Sequence, residues 1–370
     1  MSDLQKQVQT TIDELVSSGA ERGLQVAVYH QGEQVIDAVA GLADPQTGRP
    51  VTSDTPFYCY SVGKGATSTI AHMLVERGLF SYDTLVVELW PEFGAHGKQT
   101  ATVRHVLTHS VGVPGIPAET TREDLCDWEL MCARIADLTP WWEPGTQTGY
   151  HAYTYGYIVG ELVRRATGKR ISQVLREELA GPLGVADELY FGMPASELGR
   201  LARLEDAPGG AEMLASMPDD SPMFRAGPKA TWPDAEFGNR RDILMADIPA
   251  GGKNSARAIA RMYAALLGEV DGVRLLPPER VREIAAPAMR GIDQVFGNPV
   301  TWGLGYSIGQ LGSNADDSPT VIGMGGVGGS WACADTATGT AIAVAKNLLT
   351  ADFSTSERIT GIVAEAVANG

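Results

Sequence analysis

Strand-like segments lie at the two ends of this 370-residue chain, and helical segments fill its middle. Near the start, two strand-like runs are joined by Gln31 and Gly32, a β-hairpin signal: LQVAVYH and EQVIDAVAG. Near the end, four more are joined by turns: TWGLGYSIGQL, PTVIGMGGV, GGSWACADTA and GTAIAVAKNLL. Amphipathic helices are predicted at 3–17 and at about 354–368. This order predicts an α+β fold with an antiparallel sheet built from both ends, flanked by the terminal helices, and an inserted mostly helical lobe.

A division into two lobes follows from this pattern. We expect residues 1–80 and 253–370 to form the sheet lobe and residues 81–252 to form the helical lobe, together making one catalytic unit. Within the helical lobe, residues 192–252 are rich in Gly, Pro, Met and Asp and show little periodicity. A long segment of this kind in a compact domain is usually functional, so we interpret it as a wall or lid over a site.

Composition limits the classes of partner. Hydrophobic residues make up 44% of the chain and charged residues 20%, as in ordinary globular proteins. The net charge of −16 and the lack of any Lys/Arg run argue against nucleic acid. The polar N-terminal segment has no apolar h-region and no run of eighteen apolar residues occurs, so a cytoplasmic protein without a membrane partner is expected. The expected partner is a small molecule, and oligomeric state has no signal here.

Neither the cysteines nor the histidines indicate a metal site. Four scattered cysteines fit no zinc spacing and are expected to be buried small hydrophobes: Cys59, Cys126, Cys132 and Cys333. His105 and His109 lie four apart on a predicted helix, which is a metal-ligand spacing, but no Glu stands at position 106 and no further ligand is close. Packing or capping roles are favoured for both, and neither a metal nor an organic cofactor is implied.

Ser61 and Lys64 stand where a strand-like segment runs into a helix, within FYCYSVGKGATSTIAHMLVERG (57–78). Residues three apart share a helix face, so the hydroxyl and the amine would point into one space. An amine whose pKa is lowered by burial can act as the base for a serine nucleophile, and the helix start offers free N–H groups to the reacting oxygen. The alternative is that a Ser-x-x-Lys spacing arises by chance in a chain of this composition.

Tyr150 follows PGTQTG and opens another predicted helix. A tyrosine near a lysine ammonium can be shifted toward its phenolate and serve as general base and acid. The alternative is an aromatic face on a core helix, made by residues two or three apart: Tyr150, Tyr153, Tyr155 and Tyr157.

Glycines mark a third candidate within IGMGGVGGS, at Gly325 and Gly326 before Val327. Glycines in a strand indicate that another backbone or a ligand approaches closely. A backbone N–H here could pair with that of Ser61 to form an oxyanion hole. A β-bulge is the equally acceptable alternative.

Taken in this order, the three features resemble the serine β-lactamase-like superfamily, in particular the branch of class C β-lactamases, D-Ala-D-Ala carboxypeptidases and family VIII carboxylesterases. The resemblance covers nearly the whole chain and implies an acyl-enzyme mechanism. It makes Ser61 the nucleophile, Lys64 its partner base and Tyr150 the tyrosine of the Tyr-x-Asn motif. It also makes Ser61 and Val327 the oxyanion N–H donors. Substrate-binding residues are expected where relatives have Lys-Thr-Gly and at two nearby tryptophans: Met324, Gly325, Gly326, Trp302 and Trp331. From placement, Trp141 and Trp142 are also expected near the pocket.

Two departures from the family pattern point to the substrate. Ala152 replaces the Asn of Tyr-x-Asn, and Met324 replaces the Lys of the third motif. Both changes remove polar groups that hold a charged substrate, so the expected activity is a carboxylesterase on a small, mostly uncharged ester. The alternative is an acyltransferase or amide-forming enzyme of a biosynthetic pathway. A β-lactamase and a non-catalytic binding protein are less favoured.

Overall fold

The computed structural model describes residues 2–311 and 315–369. The strands are β1 (Gly23–His30), β2 (Glu33–Asp44), β3 (Arg49–Pro50), β4 (Phe57–Tyr58), β5 (Leu189–Tyr190), β6 (Glu205–Asp206), β7 (Lys253–Asn254), β8 (Met289–Ile292), β9 (Pro299–Trp302), β10 (Ser307–Ile308), β11 (Val321–Gly325), β12 (Trp331–Asp335), β13 (Thr340–Lys346) and β14 (Leu348–Leu349).

The α-helices are α1 (Ser2–Ser17), α2 (Lys64–Glu76), α3 (Val86–Leu89), α4 (Val103–Leu107), α5 (Trp128–Ala136), α6 (Thr154–Thr167), α7 (Ile171–Val174), α8 (Gly210–Ser216), α9 (Pro222–Ala226), α10 (Ala235–Gly238), α11 (Arg241–Met245), α12 (Ala256–Leu267), α13 (Pro278–Ala285) and α14 (Ser354–Ala368). Short 3-10 turns lie at Tyr60–Gly63, Pro91–Gly97, Asp124–Cys126, Leu198–Arg200 and Lys229–Thr231, and a π-helical turn lies at Leu175–Ala180.

Among the described residues, nine strands form one sheet in the order β3-β2-β1-β13-β12-β11-β10-β9-β8. Every neighbouring pair in it is antiparallel. The first hairpin meets the C-terminal strands in the middle of the sheet, where Leu24 pairs with Lys346 and His30 with Thr340. The predicted antiparallel sheet made from both chain ends is therefore confirmed.

The two faces of the sheet are covered by different helices. Side chains of β1 alternate between them, with Val26 and Val28 on one face and Ala27 and Tyr29 on the other. The first face packs against buried residues of the terminal helices α1 and α14: Leu4, Val8, Ile12, Ile359 and Val363. The second face packs against α12 and the main core, which includes Ile259 and Tyr263. The terminal helices therefore flank the sheet as predicted.

A buried ion pair joins the segment before β1 to the end of β13. Glu21 lies 2.5 Å from the Lys346 ammonium, and both side chains are 1% exposed. Lys346 also donates to Thr350 Oγ1 at 2.9 Å, and Thr355 donates to Glu21 at 2.6 Å. The same region holds the turn after β11, because Ser356 donates to the Gly329 carbonyl at 2.6 Å.

The middle of the chain is mainly helical, with α2 and α6 sharing the main core. The segment 192–252 contains four short helices, α8 to α11, which were not predicted from its sequence. They span four to seven residues each, too few for a 3.6-residue periodicity to be recognised. A local signal does exist at α10, where the Asp234 side chain accepts from the Phe237 N–H at 2.7 Å as an N-cap.

Among residues 2–311 and 315–369, none of the helices combines the length and apolar character needed to cross a bilayer.

Candidate active site

Ser61 lies in the 3-10 turn Tyr60–Gly63, between β4 and α2, and is half-buried. The α-helix itself begins at Lys64, so Ser61 precedes it by one turn. Tyr60 has a φ of 47°, which is rare for a residue with a side chain. Its hydroxyl donates to the Asp234 carbonyl at 2.7 Å and helps to keep the chain in this bend. The bend presents Ser61 to a cleft in the surface.

Lys64 contacts Ser61 directly. Its Nζ donates to Ser61 Oγ at 3.0 Å and to the Ala250 carbonyl at 2.9 Å. The side chain is fully buried, and loss of hydration lowers the pKa of Lys64 to about 7. A lysine with this pKa is a neutral amine in a large fraction of molecules at neutral pH, so it can accept the Ser61 proton.

Tyr150 is brought to the same place, but not by a helix. The helix α6 begins four residues later, at Thr154, and Tyr150 lies in the non-helical segment before it. Lys64 Nζ is 5.0 Å from the centroid of its ring. Burial raises the pKa of Tyr150, and a hydrogen bond with Ser61 offsets only part of that effect. This direction is opposite to the expected shift toward phenolate, because the loss of hydration outweighs the hydrogen bond with Ser61.

His109 and Asp293 support Tyr150, and the sequence did not reveal either role. The His109 ring is buried, and its centroid lies 5.0 Å from that of Tyr150 and 4.3 Å from that of Trp302. Its Nδ1 accepts from the His151 N–H at 3.0 Å, which places the proton of a neutral imidazole on Nε2. Asp293 is buried and accepts the backbone N–H groups of Val295 and Phe296, and it pairs with Thr148, two residues before Tyr150. Neither contact has a sequence signal, because each joins segments far apart in the chain.

His109 also lies outside the helix predicted for it. The helix α4 ends at Leu107, and His109 has a φ of 53°. His105 instead caps the start of α4, where its ring nitrogen accepts from the Thr102 N–H at 3.3 Å. The two histidines therefore do not form an i, i+4 pair on a helix.

The glycine segment after β11 packs against the Ser61 turn. A Cβ atom added to Gly326 would collide with the Cys59 carbonyl, so only glycine allows this close approach. The Gly326 N–H is used in a turn, donating to the Ser330 carbonyl at 2.9 Å. Val327 follows, 40% exposed, and lines the same cleft as Ser61.

Two cavities meet at Ser61 and Tyr150. The wide cavity has a volume of about 640 Å³. All five residues expected to bind substrate line it: Met324, Gly325, Gly326, Trp302 and Trp331. A narrower cavity of about 110 Å³ opens beside it and is lined almost entirely by apolar and aromatic side chains. Parts of the segment 192–252 line both cavities, including Met223 and Trp232.

Trp141 and Trp142 line neither of these two cavities. Trp142 is buried, and its indole N–H donates to the Ser110 carbonyl at 3.0 Å. Trp141 lies against the Arg225 guanidinium, 4.5 Å from the ring centroid. Both residues support the loop before Tyr150 instead of contacting the cleft.

Cys59 is close to Ser61 in the chain but is not an alternative nucleophile. It is buried, and loss of hydration raises the pKa of its thiol to about 12. The reactive thiolate is therefore scarce at neutral pH.

Comparison with known proteins gives a family match over most of the chain. The family model described as Beta-lactamase matches residues 8–366. The chain is 35% identical over 341 residues to a protein of Mycobacterium tuberculosis named Esterase/beta-lactamase LipL, an alignment covering 88% of this chain and 76% of LipL.

Two solved structures superpose over nearly the whole chain. The crystal structure of a family VIII carboxylesterase has a TM-score of 0.87 and 30% identity, covering 98% of this chain and 97% of that one. A penicillin-binding protein homolog from Caulobacter crescentus has a TM-score of 0.85 and 30% identity, covering 99% and 98%.

Proposed function

The chain belongs to the Beta-lactamase family, and on this basis we propose that it is a serine hydrolase that forms an acyl-enzyme at Ser61 and acts as a carboxylesterase on a small, mostly uncharged ester. The observation that carries the proposal is the 3.0 Å contact between Ser61 Oγ and the buried Lys64 amine. It supplies a nucleophile and a base in direct contact.

The first half of the reaction makes the acyl-enzyme. Neutral Lys64 takes the proton of Ser61 Oγ as this oxygen attacks the ester carbonyl. The backbone N–H groups of Ser61 and Val327 stabilise the resulting oxyanion. The carbon–oxygen bond to the alcohol then breaks, and the alcohol leaves with a proton from Tyr150 or Lys64. The raised pKa of Tyr150 keeps its hydroxyl protonated at neutral pH, so a proton is present for the alcohol.

The second half releases the acid. A water molecule attacks the acyl-enzyme carbonyl while its proton passes to the group that protonated the alcohol, Tyr150 or Lys64. The bond from the carbonyl to Ser61 Oγ breaks, and this oxygen takes a proton from Lys64. The carboxylic acid then leaves the cleft.

The lining of the cavities supports an uncharged substrate. Neither Lys nor Arg is among the described residues that line the two cavities. Met324, at the position where relatives have a lysine, is 3% exposed and apolar. A substrate carboxylate would therefore have no cationic partner in these walls.

The proposal is tested by intact-protein mass spectrometry after incubation with p-nitrophenyl esters and a fluorophosphonate. Wild type should gain one covalent adduct, and Ser61→Ala should gain none and lose ester hydrolysis by on the order of 10³-fold or more. Cys59→Ala is the matched control, because it removes the neighbouring nucleophilic atom and should still be labelled. A Ser61→Ala variant labelled like wild type would overturn the proposal.

Acyl transfer is the second candidate, and the size of the wide cavity favours it. A volume of about 640 Å³ beside Ser61 leaves room for an acceptor larger than water. Both reactions share the acyl-enzyme and differ in what attacks it. Adding alcohols or amines to an ester assay separates them: a transferase should form acylated acceptor faster than free acid.

The cytoplasmic location and the absence of a nucleic-acid partner stay predictions. Cell fractionation and a filter-binding assay would test them.

A further inference from the structure

The narrow cavity is a side pocket of the cleft with a closed inner end. Its inner walls are buried residues, 0–9% exposed: Tyr58, Tyr60, Tyr153, Ala226, Thr231, Phe237, Ile248 and Ala250. Its outer residues are shared with the wide cavity: Ser61, Tyr150, Met223, Trp232, Pro233, Phe296 and Val327. The side pocket therefore opens into the wide cavity beside Ser61.

The side pocket presents apolar surface although several hydroxyl groups surround it. Three of these groups already donate to backbone carbonyls: Tyr60 to Asp234 at 2.7 Å, Thr231 to Pro228 at 2.9 Å, and Tyr153 to Thr231. Ala152 contributes only a methyl group beside Tyr153. Charged residues do not occur among the described residues of its lining. The pocket therefore favours a hydrocarbon group.

The order of chemical events decides which half of an ester lies there. The acyl group stays bonded to Ser61 Oγ after the alcohol has left, and the alcohol must leave before water can attack. A closed pocket suits the group that stays, and the wide cavity suits the group that leaves. Building on the proposed function, we propose that the side pocket binds the acyl chain and that Ala152 and Ile248 set its permitted length.

The volumes give the size of each half. The side pocket has a volume of about 110 Å³ and the wide cavity a volume of about 640 Å³. The side pocket therefore takes the smaller half of the ester and the wide cavity the larger half. The substrate class is thus an ester of a short, uncharged aliphatic acid with a considerably larger alcohol.

The test varies only the acyl chain. Values of kcat/KM are measured for p-nitrophenyl esters from acetate to decanoate, so that the leaving group is constant. Wild type should be fastest with short acyl chains and slower by about tenfold or more at eight carbons. Ala152→Val narrows the pocket and should lower the butanoate-to-acetate ratio by about tenfold. Ile248→Ala widens it and should raise the octanoate-to-butanoate ratio.

Leu214→Ala is the matched control, because Leu214 lines the wide cavity and not the side pocket. It should leave the chain-length profile unchanged. If Leu214→Ala shifts the profile, or if the two side-pocket variants keep the wild-type profile while hydrolysis still depends on Ser61, the assignment is wrong and the proposed function stands. If no ester shows Ser61-dependent hydrolysis, the proposed function fails and the assignment fails with it.

Discussion

At the scale of single residues, the decisive feature is what surrounds the Lys64 amine. Its hydrogen-bond acceptors are a backbone carbonyl and the Ser61 hydroxyl, and burial is the cause of its pKa shift. An ammonium here would lose hydration without gaining the stabilisation that a carboxylate provides. The site therefore favours the free amine, which is the form that a base requires.

A pH profile tests this. The pKa of Lys64 is lowered to about 7, so the neutral base becomes available above about pH 7 instead of above its ordinary value. We expect kcat/KM for an uncharged ester to rise as pH increases through about 7 and then to level off. Lys64→Arg, which cannot deprotonate, should lose this rise and at least about 10²-fold in rate.

Lys253 is the control for that profile, because it is a second buried lysine whose pKa is lowered to about 7. It lies 4.6 Å from the Tyr58 ring centroid and does not line either cavity. Lys253→Met should keep the rise near pH 7. A rate that increases only well above pH 10 would instead point to Tyr150, whose pKa is raised, as the base.

At the scale of elements, the turn after β11 is held from behind by β13 and α14. The Glu21–Lys346 pair is fully buried, and its neighbours bond to the Gly328 and Gly329 carbonyls. Burying a charge is costly, and each charge here is compensated by the other. The pair thus connects the N-terminal segment to the glycine turn that faces Ser61.

Removing one charge of the Glu21–Lys346 pair should lower the free energy of unfolding more than removing both charges. Lys346→Met leaves Glu21 buried without its cation, and we expect the free energy of unfolding in urea to fall by about 3–5 kcal/mol. The Glu21→Gln/Lys346→Met double variant should lose less. Arg358→Met is the control: its partner Glu14 is exposed, so it should lose under about 1 kcal/mol. Equal losses for Lys346→Met and Arg358→Met would contradict this account.

Elements with a long periodic pattern were predicted well from the sequence. The helix expected at about 354–368 is α14, Ser354–Ala368, and the first hairpin has its turn at Gln31 and Gly32. The predicted start of a helix was inaccurate where contacts between distant segments set that boundary. The helix α6 begins at Thr154 because Tyr150 and Thr148 are engaged with the segment around Asp293, 143 residues away from Tyr150.

Some contacts of the candidate site could likewise be predicted from the sequence, and others could not. Ser61 and Lys64 are three residues apart, so a local spacing was enough to predict their contact. The support of Tyr150 by His109 depends on a left-handed backbone at His109 and on packing between segments. Such contacts cannot be read from periodicity or spacing. The lobe boundaries at 80 and 253 stay a prediction, which limited proteolysis would test.

At the scale of the whole molecule, we expect the negative charge of the protein to disfavour anionic substrates. The net charge is −16, and four carboxylates line the wide cavity: Asp206, Asp234, Asp293 and Asp352. Asp234 is paired with Arg122, at 3.2 Å, whereas Asp206 accepts a backbone N–H. An anionic leaving group would therefore enter a region of negative potential.

Two esters with the same acyl chain test this selection. We expect p-nitrophenyl butanoate to react at least about tenfold faster than the butanoate of 3-carboxy-4-nitrophenol, after correction for their rates with hydroxide. The difference should shrink in 1 M NaCl, because salt screens exposed charges. Equal corrected rates at low salt would argue against the electrostatic account. A chromogenic cephalosporin also carries a carboxylate and should be hydrolysed slowly.

The central position of β1 beside β13 has a consequence for biosynthesis. Leu24 is synthesised 322 residues before its partner Lys346. At roughly 5–20 residues per second, the wait lasts about 15–65 s. Until then β1 has an unpaired edge, and for most of that interval the glycine turn that faces Ser61 does not yet exist. The nascent chain therefore carries Ser61 without a working site until the glycine turn has been added, and exposed strands in that interval are open to capture by chaperones.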